Sequence, residues 1–419
     1  MTHLLTRRIF WMAIALMMAV FPPTFASVPD GVDAESARLM AEGRWDAAYE
    51  RLHAVWELGE GDDDLTALLA RLSRRSGEDA LAAGRWVDAA ARFERGLRFA
   101  PRDPALLTGL GTALLKQALY DPAETAFADA LAVDPDNPTA LVGLGEIAYL
   151  TDRTEAAAEY FRRALDIRPD DSTLVAKVAR LERQIAASGG LDTVADHRFT
   201  VRFDGERSPA LKSFVMDALT DAWFEVGQAM GAWPSRPIAV TLLTREAFFD
   251  ITGSPRWAGG VYEGQIKVPV AGYDPETLTT VLRHEYVHAL VFDLSAGRCP
   301  WWLNEGLAQH LSDPPAAVER KLARAWERIN AGRVHPLSDL PETLSGGREA
   351  VMDAYALSLS AARFLIESVG LFAVDDLLIS LGSGESLESA FSWAGADPPD
   401  RLEGAWITSV RRSPRPGSR

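Results

Sequence analysis

The sequence predicts a multidomain protein, an all-α solenoid of repeated helical hairpins followed by an α+β domain. Three observations carry this. The same residue types recur every 34 positions between about 70 and 171. Apolar residues then switch to alternation near Phe199, the two-residue period of a strand. Finally, a second group of helical patterns surrounds His284-Glu285-Tyr286-Val287-His288. At 419 residues the chain is too long for one ordinary core and should divide into two or three units.

The first 26 residues read as an export signal. Arg7 and Arg8 form a positive start, Ile9 to Phe21 an apolar stretch, and Thr24-Phe25-Ala26 a small-residue cleavage site after Ala26. The apolar run of about 13 residues is short for a membrane span of about 20. The mature protein is therefore expected to be exported, into the periplasm, with no stable membrane span; an uncleaved anchor is the alternative. Thr6-Arg7-Arg8-Ile9-Phe10 also resembles a twin-arginine signal, so the export route stays open.

Between 29 and 69, Gly43-Arg44-Trp45-Asp46-Ala47-Ala48 echoes Gly84-Arg85-Trp86-Val87-Asp88-Ala89, without the proline or the 34-residue spacing. This predicts a degenerate or capping hairpin. From 70 to 187 the columns are regular: Ala89, Ala123 and Ala157; Phe93, Phe127 and Phe161; Leu97, Leu131 and Leu165; Pro101, Pro135 and Pro169. Gly111 and Gly145, with Leu107, Leu110, Leu141 and Leu144, fill first-helix positions, and Thr173 to Ile185 reads as a closing helix. The pattern closely resembles the tetratricopeptide repeat. That resemblance implies hairpins that bury their apolar stripe only by stacking, with a concave surface for a protein partner or substrate, or for supporting the next domain. Ser188-Gly189-Gly190 opens a linker over 188–194.

The second domain is expected over 195–410, ahead of a polar tail at 411–419. Phe199, Val201 and Phe203 mark a strand, and Ser208-Pro209 caps a helix whose stripe runs from Leu211 to Val226. Ile238 to Leu243 reads as a second strand, and Val261-Tyr262 with Ile266 to Val268 as a hairpin turning at Glu263-Gly264. A small, largely antiparallel sheet follows from these. Asp274-Pro275 should start the helix that carries both motif histidines to about Phe292, and helices dominate from Leu303 onward.

On that helix His284 and His288 share one face, about 6 Å apart along the axis, and can turn both imidazoles to one metal ion. Glu285 is left to work on an attacking water. In Trp302-Leu303-Asn304-Glu305-Gly306, Glu305 can supply a third donor, completing a two-histidine, one-carboxylate zinc site with a position open. The net charge of −16 repels polyphosphate, so nucleic acid is not an expected partner. The single cysteine, Cys299, permits no internal disulfide and reads as a small buried residue.

Together, the two motifs resemble the gluzincin zinc metallopeptidases, and residues 195–410 resemble the peptidase MA-like domain, a thermolysin-like α+β fold often joined to tetratricopeptide repeats. The resemblance implies zinc on His284, His288 and Glu305, with Glu285 as general base that then protonates the leaving amine. The 16 residues between His288 and Glu305 make a slightly shorter interval than in the best-known aminopeptidase members. Tyr355-Ala356-Leu357-Ser358 resembles the start of a helix whose tyrosine stabilises the oxyanion, which implies that role for Tyr355. That branch's exopeptidase motif is missing. Gly259-Gly260-Val261-Tyr262-Glu263 stands in its place and is expected to be an edge strand for substrate backbone, without capture of a free amino terminus by Glu263. Gln309, one turn beyond Glu305, and His310 read as ordinary helix residues, with support of the metal ligands from behind as the alternative, and His53, His197 and His335 have no partner spacing.

The function implied is an exported zinc metallopeptidase that hydrolyses peptides or proteins. The alternative is a non-catalytic repeat scaffold or envelope assembly factor whose peptidase-like domain binds without cutting. Retention of the complete histidine-glutamate-histidine string favours the enzyme.

Overall fold

The computed structural model describes residues 32–60, 62–203, 209–255, 258–270, 273–340 and 347–417. The export signal at 1–26 and the capping role of Ser208 lie outside these residues.

A helical array comes first: α1 Ala34–Ala41, α2 Trp45–Val55, α3 Asp63–Ala82, α4 Trp86–Leu97, α5 Pro104–Lys116, α6 Tyr120–Val133, α7 Pro138–Leu150, α8 Thr154–Ile167 and α9 Ser172–Ser188. Helices α5 and α7 start on an Asp/Asn-Pro pair. Asp103 Oδ1 accepts from the Ala105 and Leu106 amides at 2.8 and 3.1 Å, and Asn137 Oδ1 from Ala140 at 3.0 Å, while proline fills the first helical position, where no donor is needed.

The repeat columns are packing positions. Ala89, Ala123 and Ala157 are fully buried. A Cβ on Gly77 or Gly109 would lie 2.8 or 2.4 Å from the ring of Phe93, and one on Gly111 or Gly143 2.8 or 2.3 Å from that of Phe127. Each of these two phenylalanines thus wedges between a glycine of its own unit and one of the next, which is how neighbouring hairpins approach closely. Helices α1 and α2 form a helical pair ahead of the repeats, with Leu39, Tyr49 and Leu52 packed on Leu65, Leu68 and Leu72 of α3.

The described residues contain one sheet of five strands, in the order β1 Asp192–Ala195, β2 Phe199–Phe203, β3 Ile238–Leu243, β5 Ile266–Pro269, β4 Val261–Tyr262. Two expectations need correction. The sheet is mixed: only β1–β2 and β4–β5 are antiparallel, while β2–β3 and β3–β5 are parallel. The cause is the pair of crossover helices, α10 Pro209–Met230 and α11 Arg245–Thr252, which return the chain to the same end of the sheet and leave β3 buried along its whole length. In addition, β1 begins inside the expected linker. Its residues are mostly exposed, so no apolar alternation announces it.

The remaining helices are α12 Pro275–Ser295, α13 Trp301–Ser312, α14 Pro315–Asn330, α15 Arg348–Val369, α16 Leu371–Gly382, α17 Leu387–Trp393 and α18 Pro399–Arg412. α12 begins at Asp274, whose Oδ1 accepts from the Thr277 amide at 2.9 Å. It packs Leu282, Tyr286 and Leu290 into the core, with Tyr286 against Phe199 of β2. No described helix is long and apolar enough to cross a membrane.

The array and the sheet are docked. Trp86, Tyr120 and Thr154 begin α4, α6 and α8 at the repeat interval, and each meets the second domain. The Arg298 guanidinium lies 4.3 Å from the centre of the Trp86 ring, that of Arg236 3.8 Å from Tyr120, and Gln265 Nε2 3.4 Å from Thr154 Oγ1. Asp152 holds Arg202 of β2 through two contacts of 2.7 and 2.6 Å. Buried Lys267 donates from Nζ to Tyr149 Oη at 2.8 Å.

Candidate metal centre

Helices α12 and α13 bring three donors together. His284 Nε2 and His288 Nε2 are 3.2 Å apart. Glu305 Oε2 lies 3.6 Å from the first and Oε1 3.7 Å from the second. Each residue therefore offers a ligand atom to one small volume, as their sequence spacing suggested.

Their surroundings hold these donors in place. His288 Nδ1 lies 2.9 Å from Asn304 Oδ1, an acceptor that calls for the Nδ1–H tautomer and leaves the Nε2 lone pair free. His284 Nδ1 is 3.3 Å from Ser312 Oγ. Sequence reasoning assigned neither Asn304 nor Ser312 a role. The place of Asn304 beside Glu305 was the available signal for the first, and Ser312, at the far end of α13, offered none. The donor set fits a zinc ion: two imidazole nitrogens face one another at close range, and buried Glu305 Oε2 has no hydrogen-bond partner among the described residues.

Glu285 is buried beside the donors, and its Oε2 also lacks a partner among the described residues. Burial pushes its carboxyl up to about 7, with the His288 charge opposing and the Glu305 charge adding. The chain segment before β4 passes so close that a Cβ on Gly260 would lie 2.8 Å from Glu285 Oε1.

Tyr355 lines the same cleft, with its ring 5.8 Å from that of Trp301. It does not begin its helix: α15 starts at Arg348, so Tyr355 projects from within it. Burial, with the Glu305 and Glu285 charges, raises its hydroxyl above the ordinary tyrosine value, so it stays a donor at neutral pH. Gln309, expected to be an ordinary helix residue, is buried and donates from Nε2 to the carbonyls of Glu305 and Tyr355, at 3.0 Å each. Gly306 permits this closeness, since a Cβ there would lie 2.4 Å from both Ala362 Cβ and Ser358 O.

Other residues stand apart from the donors. His310 is half-buried near the Arg363 and Glu367 charges. Cys299 lines the cleft, but its thiol is directed at Pro300 O, 3.6 Å away, and burial pushes it up and keeps it protonated. Glu263 pairs with Arg180 of α9 at 3.0 Å and so faces the helical array. Around the donors the cleft measures about 560 Å³, and Gly259, Gly260 and Val261 of the edge-strand segment form one wall.

Residues 108–172 match the family model described as tetratricopeptide repeat. No curated protein matches the chain. The matched segment runs from within α5 to the start of α9 and bears out the repeat reading, which carries a protein-interaction role with it.

Proposed function

We propose that this repeat-bearing protein is an exported, periplasmic zinc metallopeptidase of the gluzincin type, with the tetratricopeptide array positioning its catalytic domain and its substrates. The observation that carries this reading is the meeting of His284, His288 and Glu305 in a cleft that also holds buried Glu285 and Tyr355. When bound, zinc supplies a Lewis acid that polarises the scissile carbonyl and acidifies water.

The chain's own residues perform the remaining tasks. Glu285 takes the proton of the attacking water as the C–O bond forms and then delivers it to the leaving amine as the peptide C–N bond breaks and the carbonyl re-forms. The Tyr355 hydroxyl donates to the oxygen that gains charge. Asn304 keeps His288 in the binding tautomer, and the free edge of β4 offers backbone groups to an extended peptide.

The rival reading is a non-catalytic scaffold, but the row Trp86, Tyr120 and Thr154 is already occupied by the chain's own second domain and so is closed to a partner. Zinc content and peptide cleavage of the purified protein, repeated with Glu285→Ala, decide between the two. The enzyme reading expects one bound zinc in both proteins and cleavage only in the unsubstituted one. A protein that carries no zinc after export, or that cleaves equally well without Glu285, would exclude it.

A further inference from the structure

Beyond Tyr355 the cleft gives way to a second hollow of about 580 Å³ between α14 and α15, and Tyr355 lines both. Val351 and Met352 contribute apolar surface, while Arg320, Lys321, Arg324 and Arg348 surround it with no acidic lining residue among the described residues. In a chain with 59 acidic and 43 basic residues, this is a local inversion of sign.

The four cations are not equivalent. Lys321 Nζ lies 2.6 Å from Asp313, and Arg324 Nε 2.5 Å from Asp353, a carboxylate that Arg328 shares at 2.9 Å, so both already have an internal partner. The side chains of Arg320 and Arg348 are exposed and have neither an ion pair nor a hydrogen bond among the described residues. An unpaired arginine presents a planar fork of donors that matches a carboxylate.

We infer that this hollow receives a carboxylate of the bound peptide, making acidic peptides the preferred ligands of the neighbouring cleft. The inference rests on the peptidase reading for its substrate. It adds that Arg320 and Arg348 read an anionic group beyond the scissile bond, either an Asp or Glu side chain or the terminal carboxylate. Val351 and Met352 would pack against the stem of that residue.

The test is a binding measurement on Glu285→Gln protein loaded with zinc, which leaves peptides uncut. Fluorescein-labelled heptapeptides differing only in Glu against Gln at one position, each made as free acid and as amide, are titrated by fluorescence anisotropy. Two charge-assisted contacts at an exposed site should favour the anionic member by about fivefold to tenfold. Preference for Glu identifies a side-chain carboxylate, and preference for the free acid a terminal one. Arg320→Ala with Arg348→Ala should abolish the preference without lowering the melting temperature, because both side chains are exposed.

Equal binding of all four forms, or a preference that survives the double substitution, overturns the inference. Cleavage of these peptides by unsubstituted protein reads the other proposal separately. Selective binding without cleavage leaves the anion site standing and removes the peptidase, whereas cleavage without selectivity does the reverse.

Discussion

His288 Nδ1 lies 2.9 Å from Asn304 Oδ1, so the residue just before the third donor orients the second histidine. Asn304→Ala should weaken zinc affinity about 10- to 100-fold, as is typical for loss of an outer partner. Competition with a chromophoric chelator measures this, and unchanged affinity would deny the contact any such role.

Glu305 and Tyr355 share a cleft but should separate in their effects. Glu305→Ala removes a donor, so zinc content falls. Tyr355→Phe keeps the ring against Trp301 and removes only the hydroxyl, so zinc content holds while kcat drops by about 100-fold. Metal analysis beside steady-state kinetics distinguishes them, and full zinc content in Glu305→Ala would take that residue out of the site.

Gly306→Ala should destabilise the second domain. Its Cβ would meet both a side chain and a backbone carbonyl at 2.4 Å, an overlap that α13 and α15 relieve only by moving apart. A cost of about 1–3 kcal/mol is typical of overpacking, and each kcal/mol lowers the melting temperature of a domain this size by about 2–4 °C. Thermal unfolding followed by circular dichroism is the measurement.

Lys267 makes docking pH-dependent. Burial lowers its amine from 10.5 to about 8, with the Glu263 charge opposing the shift and the Arg180 charge adding to it. Between those values the unfolded chain holds a proton that the folded one has released, so stability rises with pH across that window and is lost as pH falls back through 8. The full gap corresponds to roughly 3 kcal/mol. Urea unfolding at pH 7.5 and 10 should show this rise in the parent protein and its absence in Lys267→Met.

Trp86→Ala combined with Tyr120→Ala should loosen the array from the second domain by removing both cation–ring contacts. Limited proteolysis would then cut faster at Gly189-Gly190, the exposed glycines between α9 and β1. An unchanged cleavage rate would show that the polar contacts of Asp152, Tyr149 and Arg180 suffice.

Much was legible in the sequence because it depended on spacing along the chain. The interval of 34 placed Phe93, Phe127 and Phe161 in equivalent packing positions, since a repeated hairpin must present the same side chain to the same neighbour. The interval of four placed His284 and His288 on one face, because helical geometry is local. Asp274-Pro275 likewise announced the start of α12 through its own cap.

What the tertiary structure decided depended on which distant surfaces meet. The parallel centre of the sheet came from the crossovers of α10 and α11, which no single strand encodes. Gly306 and Gln309 gained meaning only when α13 crossed α15, and Tyr355 entered the cleft from within a helix that the sequence began too late. Lys267, alternating innocently along β5, became a buried cation because the array closed over it. Periodicity reports each segment's own geometry; contacts between segments arise from the whole chain burying its apolar surface at once.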